Sequence, residues 1–280
     1  MDAFRDRVAI VTGGASGIGA AVAAEMARRG AVLVLADRDA KRASDTAEQI
    51  VAAGGRATAV ALDVTDAAAV RDTIERVHAQ HGRLDYLYNN AGIAIGGEAR
   101  DHTLEDWRRT LDVNLGGVVH GVHAAFALMV KQGHGHIVNT ASLAGIFPAA
   151  NEIAYTTSKY AVVGMTRVLR AEGAALGVRA TVVCPGFVDT PILFENITLR
   201  HPGTIPVQSR ADMKAMLPVR VMPVERAARI IVRGVARNDA IVIVTPHAWV
   251  LWMLDRLSPS LGHVLGRLLM REHRRRFPRC

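Results

Sequence analysis

Tyr155 and Lys159 stand four residues apart in a periodic segment, so on a helix they share a face one turn from each other. A free phenol titrates near about 10, and an ammonium beside it favours the phenolate. The pair therefore predicts a group that can take a proton from a hydroxyl or return one to a carbonyl. Ser142, just after a β-branched run, offers a hydroxyl that could hold the same oxygen within reach. His134 with His136, and His120 with His123, raise the question of a metal. Their neighbours are Gly, Val and Ala, with no carboxylate at ligand spacing, so none is expected.

Thr12-Gly13-Gly14-Ala15-Ser16-Gly17-Ile18-Gly19 joins the first apolar run to a helical pattern. Glycines there let backbone approach a pyrophosphate closely and aim helix N-terminal amides at it. Asp37 ends the second apolar run, about where a dinucleotide-binding unit places the carboxylate that grips the adenosine ribose hydroxyls. With a nicotinamide bound, Tyr155 could take the proton of a secondary alcohol while hydride leaves the carbinol carbon, or act in reverse on a ketone. Asp37 would repel a 2′-phosphate, which favours NAD over NADP. Arg38 is the opposing feature, since a guanidinium can pair with that phosphate.

The glycine spacing is T-G-x-x-x-G-x-G. With it come Asn89-Asn90-Ala91-Gly92, Asn114, Ser142, Tyr155-x-x-x-Lys159, and Pro185-Gly186 with Thr190, in that order. On these motifs the chain resembles the short-chain dehydrogenase/reductase family over roughly Arg7 to Thr245. The resemblance implies a catalytic set of Asn114, Ser142, Tyr155 and Lys159. In it Lys159 also holds the nicotinamide ribose, and Asn114 bends its helix and extends a water-linked proton path. It implies cofactor contacts from Gly13, Ser16, Gly17, Ile18, Gly19, Asp37, Arg38, Asp63, Val64, Asn90, Ala91, Gly92, Tyr155, Lys159, Pro185, Gly186, Val188 and Thr190. Ser16 stands where phosphate-preferring relatives often carry a basic residue, which again favours NAD. Asn90 could instead brace its strand, and Thr190 could simply cap the helix that follows. The family's pairing of helices across a dimer axis implies a homodimer or homotetramer. A nucleotide-sensing binding protein on the same fold could dispense with Tyr155 and Lys159. A sugar-nucleotide epimerase or dehydratase usually has another glycine spacing and a larger C-terminal domain.

Residues expected to face the substrate follow the motifs: Ile93, Ile95, Leu143, Ile146, Phe147, Phe187, Ile192, Leu193, Phe194 and Ile197, with Glu195 and Arg200 as polar exceptions. Of these, Ile95, Leu143, Phe147, Phe187 and Leu193 are the principal candidates. The set points to a hydrophobic secondary alcohol or ketone.

The elements that must position these groups alternate. Val8–Thr12, Val32–Ala36, Thr58–Leu62, Leu84–Tyr88, Ile137–Thr140, Ala180–Val183 and Ile241–Thr245 read as strands. Between them, Ala20–Arg29, Lys41–Ala53, Ala67–Gln80, Leu104–Lys131, Ile153–Leu176 and Glu225–Asn238 read as helices. The strand runs are continuously apolar, as in a parallel sheet covered on both faces. The expectation is an α/β, Rossmann-type doubly wound sheet of about seven strands in a single domain, residues 1–246. A proline-rich lid falls at about 190–224, and a basic amphipathic extension of two short helices broken at Pro259 covers 247–280.

Half of the 280 residues are hydrophobic and 21% are charged, which excludes a disordered chain. Cys184 and Cys280 are expected as free thiols in a reducing compartment. The N-terminus reads as no secretion signal, and the longest uninterrupted apolar stretch, Ala248 to Leu254, is far short of a bilayer span. A cytoplasmic protein is expected. Most of the net charge of +8 sits after Pro246, where Arg256, Arg267, Arg271, Arg274, Arg275, Arg276 and Arg279 face only Asp255 and Glu272. No basic stripe interleaved with aromatics precedes it, so no nucleic-acid partner is expected. Trp249, Leu251, Trp252, Leu254 and Leu257 before Pro259, and Leu261, Val264, Leu265, Leu268 and Leu269 after it, could pack on the protein or lie in an anionic lipid surface.

Overall fold

The computed structural model describes residues 3–194, 197–199 and 219–276. In chain order the elements are β1 Val8–Thr12, α1 Gly17–Ala27, β2 Val32–Asp37, α2 Ala40–Ala52, β3 Arg56–Ala61, α3 Ala67–His81, β4 Tyr86–Asn89 and β5 Ala94–Gly96. There follow α4 Leu104–Leu111, α5 Gly117–Gln132, β6 Gly135–Thr140, α6 Ile153–Gly173, β7 Val178–Cys184, α7 Pro191–Phe194 and β8 Ile197–Leu199. The last four are α8 Val224–Ala236, β9 Ile241–Ile243, α9 Pro246–Leu257 and α10 Pro259–Arg276. Seven strands form one parallel sheet in the order β3-β2-β1-β4-β6-β7-β9.

Alternate residues of β1 feed two different cores, which is why the whole strand is apolar. Ala9 and Val11 pack with Val22, Met26, Ile231 and Val235 of α1 and α8. Val8 and Ile10 pack with Ile74, Val77, Ala125 and Met129 of α3 and α5 on the opposite face. The chain winds outward from β1 in one direction through β2 and β3, then crosses to β4 and continues the other way. The crevice beyond the carboxyl ends of β1 and β4 is therefore the ligand-binding place that such a sheet creates.

The helix expected as one piece over Leu104–Lys131 is instead α4 and α5 joined by a π-helical turn, Asp112–Gly116, that carries the buried Asn114. This run, Leu104–Gln132, is long and apolar enough by length and composition to cross a bilayer. Counting uninterrupted apolar stretches does not register it. Here Ala125 and Met129 of α5 are buried against the sheet and α3, Gly121 against Asn89, and Val118 in the core around Val162 and Val182. β5 and β8 pair as a small separate parallel sheet, too short to read from pattern.

Of the lid expected at about 190–224, residues 200–218 lie outside the described residues, and with them Arg200, Pro202, Pro206 and Pro218. Glu195 and Cys280 do as well, and for Phe194, Ile197 and Leu269 only the backbone is described. α9 and α10 are the two helices expected of the tail, and they lie on the sheet domain. Trp252 packs on the core around Val162 and Val182, and Gly262 of α10 rides on Phe147 and Pro148. Arg274 forms a two-pronged ion pair with the buried carboxylate of Glu98, at 2.9 and 3.2 Å.

Candidate active site

A cleft of about 590 Å³ opens at the carboxyl ends of the strands, with the glycine turn at one end and Ser142, Tyr155 and Lys159 at the other. At the turn, Gly13 and Gly17 adopt φ of +66° and +55°, a region that costs residues with a Cβ. A Cβ at Gly13 would come within 2.9 Å of Ala91 Cα. Gly19 does not line the cleft as the resemblance implied. A methyl there would run into the Gly13 carbonyl, so this glycine lets α1 close on the turn, while Ser16, Gly17 and Ile18 face the space.

Thr12 Oγ1 accepts from the amides of Asn90 and Ala91, at 2.9 and 3.2 Å. Asn90 Nδ2 donates to the Thr12 carbonyl at 3.2 Å, and its Oδ1 accepts from Thr140. Asn90 thus ties the ends of β1, β4 and β6 together. Asp37 accepts from the amides of Ala15 and Asp39, which fixes its carboxylate beside the turn. Asp63 accepts from the Thr65 amide and hydroxyl, which hold its carboxyl below the usual range with help from Arg38. Val64, Ala91, Gly92 and Arg38 line the same region, and Arg42 joins them. A glycine concavity that a side chain would fill, with a fixed carboxylate beyond it, fits a dinucleotide.

At the other end, Tyr155 and Lys159 share the first turns of α6, with the ammonium 5.5 Å from the phenol ring centre. Lys159 Nζ donates to the Thr140 carbonyl at 3.0 Å, and burial lowers its pKa to about 8. The Tyr155 phenol is pushed up, chiefly by burial and then by the charge of Glu152, while a hydrogen bond with Ser142 works in the opposite direction. Without the positive nicotinamide ring that the expectation also invoked, the phenol keeps its proton. Ser142 Oγ also accepts from the Ala144 amide at 3.1 Å, which pins the serine at the start of a tight turn. Asn114 Oδ1 accepts from the Ile93 amide and its Nδ2 donates to the Ile93 carbonyl. The π-helical turn is what lets this side chain clamp the strand end next to Gly92.

Pro185, Gly186, Val188 and Thr190 line the cleft after β7. Thr190 donates to the Val188 carbonyl and sits 3.4 Å from the Cβ position of Gly17, so the root of the lid touches the glycine turn. Ile93, Ile95, Leu143, Phe187, Ile192 and Leu193 line the cleft as expected from sequence. Phe147 does not. It is buried and turned toward Gly262 of α10, and Ile146 belongs to the core around Val162. Two residues that shape the wall had no sequence signal, one packed behind it and one in it. His247 stacks on Phe187 with ring centres 5.4 Å apart and accepts from the Phe187 amide at 3.2 Å. Glu152 brings a carboxyl into the end of the cleft that Ser142, Tyr155 and Lys159 occupy, and Arg109 lines the same cleft.

Among the described residues no three His, Cys, Asp or Glu side chains come together as metal ligands. His120 bonds the Val64 carbonyl, and His136 is buried against Thr181 with its pKa lowered to about 3 by burial. The Cys184 thiol is buried and pushed up to about 12, chiefly by burial.

The family model described as short chain dehydrogenase matches residues 7–199. A crystal structure of a short chain dehydrogenase/reductase from Burkholderia phymatum in complex with NAD superposes with a TM-score of 0.80 at 29% identity, covering 93% of this chain and 96% of that one. The cis-4-hydroxycyclohexanecarboxylate dehydrogenase of Sinomonas cyclohexanicum is 40% identical over 220 residues, 78% of this chain and 84% of that protein. A probable oxidoreductase of Mycobacterium tuberculosis H37Rv, EphD, is 40% identical over 269 residues, 95% of this chain and 45% of that protein. The chain thus spans about half the length of this relative. A seven-stranded sheet in this order, a glycine turn at its switch point and a serine, tyrosine and lysine across the cleft from it accord with the match, and the chain belongs to the short-chain dehydrogenase/reductase family of oxidoreductases.

Proposed function

We propose that this chain is an NAD-dependent dehydrogenase that interconverts a secondary alcohol of largely apolar body and its ketone. The observation that carries the reading is the meeting of Ser142, Tyr155 and Lys159 at one end of a single cleft whose other end holds the glycine turn and Asp37. Ser142 and Tyr155 line the same end of the cleft, where both hydroxyls would reach one substrate oxygen. In oxidation Tyr155 takes the carbinol proton; in reduction it returns one. A bound nicotinamide dinucleotide supplies the hydride acceptor and a positive ring that favours the phenolate. Lys159 sets the local field, and its ammonium would also bond the nicotinamide ribose. The named substrate of the Sinomonas relative, a hydroxylated ring, supports a cyclic alcohol, and the NAD-bound Burkholderia structure supports the cofactor.

Reduction of NAD and of NADP, followed at alkaline pH across a panel of cyclic and aryl alcohols, tests this reading; absence of turnover with every alcohol and both cofactors would refute it. The panel also reads out Asp37→Ala. Loss of the carboxylate should narrow or reverse the preference for NAD over NADP, because Arg38 and Arg42 are then left beside the 2′ position. Equal efficiency with both cofactors in the unaltered protein would sink the role given to Asp37.

The same proposal covers assembly. Residues 1–246 serve as the catalytic unit and 247–280 as an appended extension. Val119 of α5 with Tyr160 and Val168 of α6 expose apolar surface for a second copy, as a dimer or tetramer. On the extension, Trp249, Leu257, Leu261 and Leu268 are about half exposed or more, near Arg267, Arg271 and Arg275, which suits peripheral contact with anionic lipid. Removing the whole extension would strip Trp252 from the core, so surface changes make the cleaner test. Leu257→Glu with Leu268→Glu should abolish co-sedimentation with anionic liposomes and leave the light-scattering mass above 30 kDa. A full chain that never co-sediments, or a mass of 30 kDa, refutes the respective half.

A further inference from the structure

We propose that Glu152 is a specificity residue that hydrogen-bonds a second hydroxyl on the substrate, so that the preferred substrate is a diol or hydroxy-ketone and not a simple alcohol. The inference rests on the dehydrogenase reading above and narrows its substrate class.

Glu152 immediately precedes α6 and stands three residues before Tyr155. An acidic side chain at that position can turn back to accept from the first free amides of the helix, as the shorter capping side chains do. Here it does not: Glu152 makes no side-chain cap. No hydrogen bond or ion pair joins its carboxyl to another side chain or amide among the described residues, yet it lines the cleft and its charge is felt at the Tyr155 phenol. The backbone enforces this placement. Asn151 adopts a left-handed φ of +66°, and its carbonyl accepts from the Gly97 amide at 2.8 Å. Glu152 in turn bridges to Gly97 beside β5. The turn thus fixes a carboxyl in the catalytic end of the cleft, three residues before the phenol-bearing Tyr155.

The surroundings select the ligand. Glu152 is half-buried at the cleft wall, and a carboxyl there that has no protein partner gains from a donor that the substrate brings. A fixed cation would pull the carboxyl's pKa down, whereas burial raises it to about 7, so near neutrality it can both donate to and accept from a neutral hydroxyl. Glu152 stands immediately before the helix that carries Tyr155, three residues from it, so the two side chains enter the cleft on the order of one helical turn apart. That suits a second hydroxyl a few carbons from the reacting carbinol, as on one ring. Ile95, Leu143, Phe187 and Leu193 would enclose the carbon skeleton between them.

The test compares catalytic efficiency of the full chain on cyclohexanol and on the 1,2- and 1,4-cyclohexanediols. The unaltered protein should prefer at least one diol. Glu152→Leu should lower the diol-to-monoalcohol ratio by about tenfold or more, and Glu152→Gln, which keeps a donor and an acceptor, should retain most of it. Glu152→Ala replaces the leucine variant if that one does not bind NAD or melts early. A ratio unchanged within twofold in the apolar variant, no diol preference in the unaltered protein, or a stronger preference for an aminocyclohexanol overturns the assignment while leaving the dehydrogenase reading intact. Failure to oxidise any of these alcohols, or any of the wider panel, with NAD or NADP overturns both.

Discussion

Tyr155→Phe should lower turnover by about 10²–10⁴-fold while the protein keeps its fold and its affinity for the dinucleotide. The substitution removes one hydroxyl and leaves a ring of the same shape against the Lys159 ammonium. Ser142 keeps its bond from the Ala144 amide, so the oxygen-binding corner does not collapse. What disappears is the proton acceptor. Oxidation needs the phenolate, the form favoured on the high-pH side, and burial together with Glu152 pushes the group further up. In the unaltered protein oxidation should therefore climb toward alkaline pH, and reduction should be favoured lower, where the phenol holds its proton. The phenylalanine variant should lose the alkaline climb as well as the rate. Near-normal turnover of that variant at alkaline pH would exclude Tyr155 as the base.

What could be read from sequence is what local pattern controls. Tyr155 and Lys159 are four apart on one helix, and helical geometry alone brings them together. The strands announce themselves because both faces are buried, and a glycine turn can be recognised wherever a strand runs directly into a helix. What stayed hidden depends on contacts between distant segments. Nothing near His247 shows that it will bond the Phe187 amide from the far side of β9. Phe147 has the composition of a substrate wall, but it follows a tight turn that faces it toward α10. Glu152 reads as an ordinary helix-start acid, and only the left-handed Asn151 and the bridge to Gly97 show it to be elsewhere. Asn114 could be named as a motif position. The π-helical turn that makes its amide available to Ile93 could not, because a period of 3.6 looks much the same with one turn widened.

Lys159→Met should cost both functions of the site at once: about 10²-fold or more in turnover, since the phenol loses its neighbouring charge, and a weaker hold on the dinucleotide. A second, independent mark should appear in the stability of the cofactor-free protein. Burial lowers the Lys159 pKa from 10.5 to about 8. Between those values the unfolded chain binds a proton that the folded chain has released, so this group makes stability rise with pH across that interval. Below pH 8 both states carry the charge, and the folded state bears its full desolvation cost. The buried thiol of Cys184 and the phenol of Tyr155 act oppositely at higher pH, because their raised pKa values make the folded state hold protons that the unfolded chain gives up. The raw melting curve of either protein therefore mixes these signs. The difference between the unaltered protein and Lys159→Met cancels what the other two groups contribute on their own and keeps the lysine together with its coupling to Cys184. That difference should shift in favour of the unaltered protein as pH rises from 8 to 10.5. A pH-independent difference in melting temperature would show that Lys159 is not carried as a buried ammonium, and its proposed field on Tyr155 would fall with it.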